Sequence, residues 1–484
     1  MKHFINRQQE LWFLNEQYNS TTSSLVILYG RRRMGKTSLI QEFVQDKPFV
    51  YFLATEESQL QNMREFAKQI NHINYQQPFA DDISRETGDA DWDFLFQTLA
   101  ERIPDQRLVL VMDGFQYLGK TDPAFPSLFQ RIWEKHLQHE NIMVILCGSV
   151  IHMMDAQTLN VNSPLYSRRT GQLMLRQIDF RYYHEFFEGL SYKDLIEHYA
   201  VTGGVPSYIE VFSKKTGIST KSEGRLRSYL LAKIGRHILS KQGFLFEEPF
   251  GLLQNETTDP GACFSILKSV AAGNNRISEI SADLHIKQSL LPKHIKTLID
   301  LDILELEVPI TETNPEKSKL ALYQIKDNFL LFWFRFVYPE KARLELGDIA
   351  PVLQKIKKNF ASNQVASVYK TVCQSEMWLL ARQGRLSFTK LGPWWNKNEN
   401  IDLVALDSLG DEIVFAECRY QTQPMDVDVF EKLLYKKNAV DWKNGSRRER
   451  FVLFSLSGFT EQLQDLAAGH DDIILFRTPY PNLN

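Results

Sequence analysis

Residues 30–37 carry side chains whose types and spacing are typical of phosphate binding. Gly30 and Gly35 enclose four residues and are followed by Lys36 and Thr37, which matches the Walker A pattern GxxxxGK[ST]. Glycines let the loop turn its amides toward phosphate oxygens, the lysine adds a positive charge, and the threonine hydroxyl is a ligand for Mg²⁺. The sequence therefore predicts binding of ATP with Mg²⁺, in a cradle that also includes Arg33, Met34 and Ser38. The three loop arginines at 31–33 are interpreted as a solvated loop tip, with contacts to phosphate or a partner as the alternative.

Asp113 is the predicted acidic ligand of the metal, because it directly follows the apolar run 108–112. Many hydrolysing ATPases place a glutamate after this aspartate to polarise the attacking water, but Gly114 stands here. Glycine cannot orient water, so the sequence supports nucleotide binding better than efficient hydrolysis. Ser149 follows another apolar run and is placed to sense the γ-phosphate, with a helix N-cap as the alternative.

These residues need a sheet to position them, and the first third of the chain predicts one. Apolar runs rich in β-branched residues at 25–29, 49–53, 108–112 and 142–147 alternate with helix-length segments, and 172–175 offers a fifth strand. The predicted fold class is α/β, a P-loop NTPase core with a parallel sheet over residues 1–190. A helical lid is expected over 191–260.

The second half of the chain predicts two further modules. Helices near 264–271, 277–284 and 289–301, followed by strand-like runs at 304–310 and 321–325, predict a winged helix-turn-helix over 261–340. A helical packing module is the alternative. Residues 341–484 return to mixed α/β patterning, with strands expected at 401–405, 413–417 and 450–456.

Motifs along nearly the whole chain resemble the archaeal-type ATPases of the STAND branch of AAA+ proteins. The matching segments are 4–11, 30–37, 113–118, 147–149, 164–170 and 202–208. The resemblance implies that Arg7 and Glu10 lie near the base or ribose and that Pro206 approaches the nucleotide from the lid. It also implies a finger-type arginine for the γ-phosphate at Arg168 or Arg169, for which a surface ion pair is the alternative. The family usually has Asp-Glu where this chain has Asp113-Gly114.

The carboxy-terminal domain carries an acid on one predicted strand and a Glu-x-basic pattern on the next, at Asp402, Glu417 and Arg419. In restriction-endonuclease-like (PD-(D/E)xK) folds, two such carboxylates hold Mg²⁺ and a lysine activates water for phosphodiester attack. The same family has a similar domain with the patterns Glu-Ile-Asp and Glu-Cys-Lys. Asn400 replaces the first acid here and Arg419 replaces the lysine, and a guanidinium does not give up its proton. We therefore expect a retained fold used for docking or DNA contact, with strand acids in ion pairs as the alternative.

Composition narrows the classes of partner. The chain has 484 residues, 43% hydrophobic and 24% charged, which indicates a multidomain globular protein. Because 56 Lys and Arg face 59 Asp and Glu, nucleic-acid binding requires local patches. One such patch is a basic strip from Lys432 to Arg450, with seven cations against two acids, and a solvated helix face is the alternative. Four dispersed cysteines and the lack of a long apolar window predict a cytoplasmic protein without a membrane partner.

The favoured function is an ATP-binding, at most weakly hydrolysing, molecular switch that couples the nucleotide state to the winged-helix and nuclease-like modules. A Mg²⁺-dependent, ATP-gated DNA endonuclease is the first alternative. A regulatory scaffold that keeps its nucleotide without hydrolysis is the second. DNA, a protein partner or an oligomer are the expected macromolecular partners.

Overall fold

The apolar runs of the first third form a parallel β-sheet. The computed structural model describes residues 5–71, 91–187, 189–214 and 223–477, so that Phe4 of the motif at 4–11 lies outside the described residues. The strands are β1 (Ser24–Tyr29), β2 (Phe49–Leu53), β3 (Leu108–Asp113), β4 (Ile142–Gly148) and β5 (Gly171–Met174). Their order is β2-β3-β4-β1-β5, with every pair parallel. The five predicted strands are confirmed, and the sheet is that of a P-loop NTPase.

Burial explains why the central strands are continuous apolar runs. β1, β3 and β4 are buried along nearly their whole length, whereas the edge strand β2 alternates between buried and exposed positions. An aromatic cluster packs against this sheet, and within it the rings of Phe66 and Phe96 are 4.8 Å apart. The helices of this region are Gln8–Tyr18, Lys36–Phe43, Gln59–Asn71, Trp92–Ala100, Phe115–Thr121, Phe125–Ile132 and Ile151–Met154. Because the strands are parallel, their carboxyl ends share one edge, and the loops at this edge hold the candidate site.

The chain divides into two compact units. The first unit comprises residues 1–178 together with the short segments 205–207 and 251–258. The second comprises 179–204, 208–250 and 259–484. Two short segments that are flanked in sequence by the second unit therefore belong to the unit of the parallel sheet. The boundaries predicted at 190, 260 and 340 stay predictions.

Helices dominate the second unit as far as residue 382. After Phe180–Tyr183, the helix Tyr192–Thr202 ends at Gly203, which has a φ of 58°, and Pro206 starts the next helix. Pro206–Ser213 and Glu248–Glu256 lie partly in the first unit. The helices from residue 192 to residue 382 are Tyr192–Thr202, Pro206–Ser213, Glu223–Ile234, Glu248–Glu256, Pro260–Ala271, Ile277–Leu284, Leu291–Asp300, Asn328–Phe332, Lys341–Glu345, Ala350–Phe360 and Ala366–Arg382. None of the helices in the described ranges is long and apolar enough to cross a membrane.

Three of these helices precede a small antiparallel sheet of β6 (Leu304–Glu307) and β7 (Leu322–Ile325). The helices are Pro260–Ala271, Ile277–Leu284 and Leu291–Asp300. These are the three helices and two strands that the sequence predicts over this region. Their assignment to a winged helix-turn-helix stays a prediction.

A second sheet lies in the carboxy-terminal part of the chain. Its strands are β8 (Lys390–Trp395), β9 (Asn400–Leu406), β10 (Glu412–Arg419), β11 (Arg448–Ser455) and β12 (Ile473–Phe476), in the order β12-β11-β10-β9-β8. β8, β9 and β10 pair antiparallel, whereas β10, β11 and β12 pair parallel. The helices Val427–Lys436 and Glu461–Ala468 connect the parallel strands. The three strands predicted here are confirmed, and β8 and β12 are additions.

Candidate functional site

The loop of residues 30–37 joins β1 to the helix Lys36–Phe43, as the phosphate-binding pattern requires. Gly30 is needed for a close approach, since a Cβ there would lie 2.5 Å from the carbonyl oxygen of Leu175. The Lys36 ammonium donates to the carbonyl oxygens of Gly30, at 2.6 Å, and Arg31, at 3.0 Å. Burial lowers the pKa of Lys36, while nearby acidic groups oppose that effect. A buried ammonium beside loop amides is an environment that favours an anion such as phosphate.

The two predicted metal ligands, Thr37 and Asp113, both lie beside the phenol group of Tyr51. The Tyr51 hydroxyl donates to Asp113 Oδ2 at 2.5 Å, and the hydroxyl of Thr37 lies close enough to interact with it. Burial, and then the Asp113 carboxylate, raise the pKa of Tyr51 above its usual value. A hydroxyl oxygen and a carboxylate oxygen this close together suit Mg²⁺, because Mg²⁺ prefers oxygen ligands. Thr37 and Asp113 are therefore the residues that would hold the ion.

Gly114 has a backbone that only glycine adopts easily. Its φ is 78°, and a Cβ built on it would lie 2.5 Å from the carbonyl oxygen of Ala54. The amide of Ala54 donates to the Asp113 carbonyl at 2.7 Å, which fixes the two segments against each other. The structure thus leaves no room for the glutamate that often follows this aspartate.

Two residues singled out by resemblance contact the phosphate-binding loop. Arg7 is 6% exposed and donates to the carbonyl oxygens of Met34, at 3.2 Å, and Arg176, at 2.7 Å. Its guanidinium also pairs with Glu10 at 2.8 Å. A Cβ on Gly35 would lie 3.7 Å from Pro206 Cγ, so Pro206 packs beside the loop. The structure therefore brings Arg7 and Pro206 to the loop.

Glu256 is a site residue that the sequence analysis did not identify. It is 0% exposed, and its Oε1 accepts a hydrogen bond from the amide of Arg32, in the middle of the loop, at 3.1 Å. Burial raises the pKa of Glu256, and the bond from Arg32 and the charges of Lys36 and Arg31 oppose the shift. More than two hundred residues separate Glu256 from the loop, so no local pattern could have revealed the contact.

The interpretation of the loop arginines as a solvated tip is wrong for Arg31, which is 3% exposed. It holds for Arg32, whose exposed side chain donates to the Tyr117 hydroxyl at 2.8 Å. Arg33 is partly buried and has a φ of 69°, and Ser38 is exposed on the helix. The nearby Glu256 carboxylate attracts the Arg31 guanidinium, which offsets part of the cost of burying it.

The remaining predicted residues lie near the carboxyl ends of β4 and before β5. Ser149 is partly buried, and Val150 rather than Ser149 is the N-cap of the helix Ile151–Met154, so the N-cap alternative is wrong. Arg168 pairs with Glu134 at 2.6 Å, which is the ion pair considered as the alternative to a finger role. The Arg169 guanidinium lies 4.3 Å from the ring centre of Tyr166.

A second cluster of charges occupies the carboxy-terminal sheet. The register of β9 and β10 places Asp402 beside Glu417, and the two carboxyl groups interact. Lys370 pairs with Asp402, Lys436 contacts Glu417 at 3.0 Å, and Arg419 contacts Glu417 at 3.2 Å. The structure therefore brings the three predicted residues together and adds two lysines from neighbouring helices.

The two carboxyl groups of this cluster have opposite pKa shifts. Burial opposes ionisation of Asp402, but the Lys370 ammonium and the amide of Cys418 hold its pKa below the usual value. Burial and the adjacent Asp402 charge raise the pKa of Glu417. One carboxylate is thus stabilised in its charged form while its neighbour retains a proton more readily. No group of three or more His, Cys, Asp or Glu side chains suited to a metal occurs in the described part of the chain.

The basic strip from Lys432 to Arg450 is largely neutralised. Arg448 is exposed, whereas the other six cations of the strip lie within 4 Å of carboxylates, four of which lie outside the strip: Asp428, Glu417, Asp411 and Glu412. The positive surplus counted along the sequence is therefore not a positive surplus in space. This arrangement favours the alternative of a solvated, ion-paired face.

Comparisons with known proteins agree with the geometry of the loop. A family model described as an ATPase domain predominantly from Archaea matches residues 4–212, and one described as archaeal and bacterial proteins of unknown function matches residues 333–433. An uncharacterized protein of Methanocaldococcus jannaschii is 32% identical over 438 residues, which cover 90% of this chain and 92% of that protein.

Two solved structures are similar to this chain at low sequence identity. A Walker-type ATPase of Pyrococcus abyssi is 19% identical with a TM-score of 0.49, over 69% of this chain and 96% of that one. The ORC2 protein of Aeropyrum pernix is 14% identical with a TM-score of 0.44, over 74% of this chain and 98% of that one.

Proposed function

We propose that this chain, which belongs to the family of ATPases found predominantly in Archaea, is an ATP-binding molecular switch. ATP binds with Mg²⁺ at the loop of residues 30–37, where Lys36 meets the phosphates and Thr37 and Asp113 hold the ion. The nucleotide state then changes the positions of the helical lid, the predicted winged helix and the carboxy-terminal domain. A switch of this kind needs contacts that differ between ATP and ADP, and the γ-phosphate supplies them.

The observation that carries this proposal is the contact of two distant segments with the loop. Pro206, in the segment 205–207, packs beside Gly35, and Glu256, in the segment 251–258, accepts from the Arg32 amide. Both segments belong to the first unit although their neighbours in sequence belong to the second. A change at the phosphates therefore has two covalent routes into the second unit.

Nucleotide binding is tested with Lys36→Ala. We expect ATP affinity, measured by calorimetry, to fall at least about tenfold, because a charge-assisted bond to phosphate is lost. Lys68→Ala is the matched control, since Lys68 is 68% exposed and pairs with Glu65 on the surface of the same unit. Equal ATP affinity in Lys36→Ala and wild type would contradict the proposal.

The switch is tested by hydrogen exchange with ATP or ADP bound. We expect amides of the segments 205–207 and 251–258 to exchange more slowly with ATP than with ADP, because only ATP places a γ-phosphate beside them. Peptides from the helix Gln59–Asn71, which are remote in sequence from both segments, are the internal reference. Identical exchange in both nucleotide states would refute a switch while leaving ATP binding intact.

A second candidate function is Mg²⁺-dependent cleavage of DNA at Asp402 and Glu417. The observation in its favour is Lys436, whose ammonium lies 3.0 Å from Glu417 and offers the lysine that Arg419 replaces. The test is incubation with plasmid DNA and Mg²⁺ or Mn²⁺, with and without ATP. Cleavage that both Asp402→Ala and Lys436→Ala abolish supports the endonuclease, and intact plasmid under all conditions rules it out.

A further inference from the structure

The first unit needs an acid to orient water if ATP is hydrolysed, and the usual position cannot supply one. At Gly114 the carbonyl of Ala54 occupies the space of a side chain. Glu56 lies after β2 but is 55% exposed and pairs with Lys120 at 2.6 Å. Asp113 is engaged with Tyr51 at the predicted metal position. Glu256 differs from these acids because it is fully buried against the phosphate-binding loop.

The two oxygens of Glu256 have different surroundings. Oε1 accepts from the amide of Arg32 at 3.1 Å, so the carboxyl group is fixed to the loop whose amides cradle phosphates. Oε2 is buried and has no hydrogen-bond partner within the described residues. A buried carboxylate oxygen is strongly destabilised without a donor, and a water molecule is a suitable one. The orientation of Oε1 thus leaves Oε2 free to hold a water beside the loop.

Glu256 lies close enough to the cations of the phosphate-binding loop for their charges to interact. The lysine of this loop pattern reaches the β- and γ-phosphates, and the charges of Lys36 and Glu256 influence each other. Arg31 and Arg32 add positive charge near Glu256. Burial raises the pKa of Glu256, which makes its carboxylate a stronger base than an exposed glutamate.

We propose that Glu256 is the general base for ATP hydrolysis and takes the catalytic place that Gly114 cannot fill. Oε1 remains on the Arg32 amide while Oε2 accepts a proton from the attacking water. The water oxygen forms a bond to the γ-phosphorus, and the bond from that phosphorus to the β–γ bridging oxygen breaks with its electron pair remaining on ADP. The proton then leaves Glu256 for solvent. This inference rests on the proposed binding of ATP. It differs from the expectation of weak or absent hydrolysis because it names a residue that catalyses the reaction.

The competing account of the same contact is that the Glu256 carboxylate occupies a phosphate-binding amide and excludes ATP. The two accounts predict different effects of Glu256→Gln, which removes the charge and keeps an oxygen for the Arg32 amide. A base is needed for the reaction and not for binding, whereas a competitor weakens binding. Separate measurements of ATP affinity and of single-turnover hydrolysis therefore distinguish them.

The experiment compares wild type, Glu256→Gln and Glu256→Asp in the full chain. We expect Glu256→Gln to lower the single-turnover rate at least about 100-fold while the ATP dissociation constant changes less than about threefold. Glu256→Asp keeps the acid and should retain more of the rate than Glu256→Gln. Glu65→Gln removes an equal charge from the surface of the same unit and should hydrolyse ATP as wild type does.

Several outcomes would overturn the proposal. Hydrolysis by Glu256→Gln at the wild-type rate excludes a general base, and tighter ATP binding with an unchanged rate identifies a competitor. Wild-type protein that binds ATP and never hydrolyses it also refutes the catalytic role but leaves the switch in place. A wild type that binds no ATP would instead refute the proposed function itself. Hydrogen exchange of the β3 amides shows whether each variant keeps the fold.

Discussion

Restoring the familiar acid with Gly114→Glu should damage this protein rather than activate it. Gly114 has a φ of 78°, and for a residue with a side chain the left-handed conformation costs about 1–2 kcal/mol. The new Cβ would also lie 2.5 Å from the Ala54 carbonyl oxygen, so backbone must shift at a cost of about 1–3 kcal/mol. The sum is a destabilisation of about 2–5 kcal/mol, centred on the junction of β2 and β3.

Hydrogen exchange is the suitable assay, because a chain with two units does not unfold in one step. The free energy of opening of the β3 amides, residues 108–113, should fall by about 2–5 kcal/mol in both Gly114→Ala and Gly114→Glu. Gly384→Ala is the matched control, and because Gly384 lies in the second unit, its effect is read from the amides of the helix Ala366–Arg382. Gly384 has a φ of 71° with no atom within 4 Å of a built Cβ, so only the backbone cost of about 1–2 kcal/mol applies.

A Gly114→Glu variant with unchanged β3 exchange and faster ATP hydrolysis would contradict this prediction. That outcome would mean that the Ala54 carbonyl moves without cost and that the new glutamate reaches the attacking water. If Gly114→Ala lowers the free energy of opening no more than Gly384→Ala does, the expected clash with the Ala54 carbonyl oxygen is contradicted.

Three further predictions concern charged groups. Arg168→Ala should leave ATP turnover unchanged in a radiolabelled phosphate-release assay, because Arg168 is paired with Glu134. Removal of a finger arginine would instead lower the turnover rate about 10³-fold or more. Asp402→Asn should lower the free energy of opening of the β9 and β10 amides by about 2 kcal/mol in hydrogen exchange, since Lys370 loses its charged partner, and unchanged exchange would contradict the ion pair. Burial lowers the pKa of His198 to about 4, so the unfolded state binds its proton first and stability should fall by about 3 kcal/mol from pH 6.5 to pH 4. His198→Gln should flatten that part of the pH profile of calorimetric unfolding.

The parallel sheet could be predicted because its signal is local. Each central strand is buried on both faces, so the apolar run itself marks the strand, and the glycines and Lys36 follow β1 without interruption. The edge strand β8 carries Gly392 and Pro393 and shows a register shift between Gly392 and Trp394, which explains why its pattern did not identify a strand. A strand whose alternation of apolar and polar residues is interrupted is difficult to recognise from the sequence.

The rest of the candidate site could not be predicted because it depends on contacts between distant residues. Glu256 ends a helix whose sequence gives no indication of the Arg32 amide. The neutralisation of the basic strip could not be predicted for the same reason, since Lys436 and Arg450 pair with acids on β10 that a count along the strip omits. Charge counts over a segment describe a surface only when the segment has no charged neighbours.

The position of the carboxylate that activates water decides how ATP hydrolysis is coupled to conformational change. A glutamate directly after Asp113 would be fixed to the carboxyl end of β3 whatever the rest of the chain does. Glu256 instead belongs to the segment 251–258, which is joined at both ends to residues of the second unit. Movement of that segment would therefore remove the base from the loop and stop hydrolysis without altering Lys36 or Asp113. With Glu256 as the base, glycine at 114 and the acid at 256 would let the state of the second unit control hydrolysis.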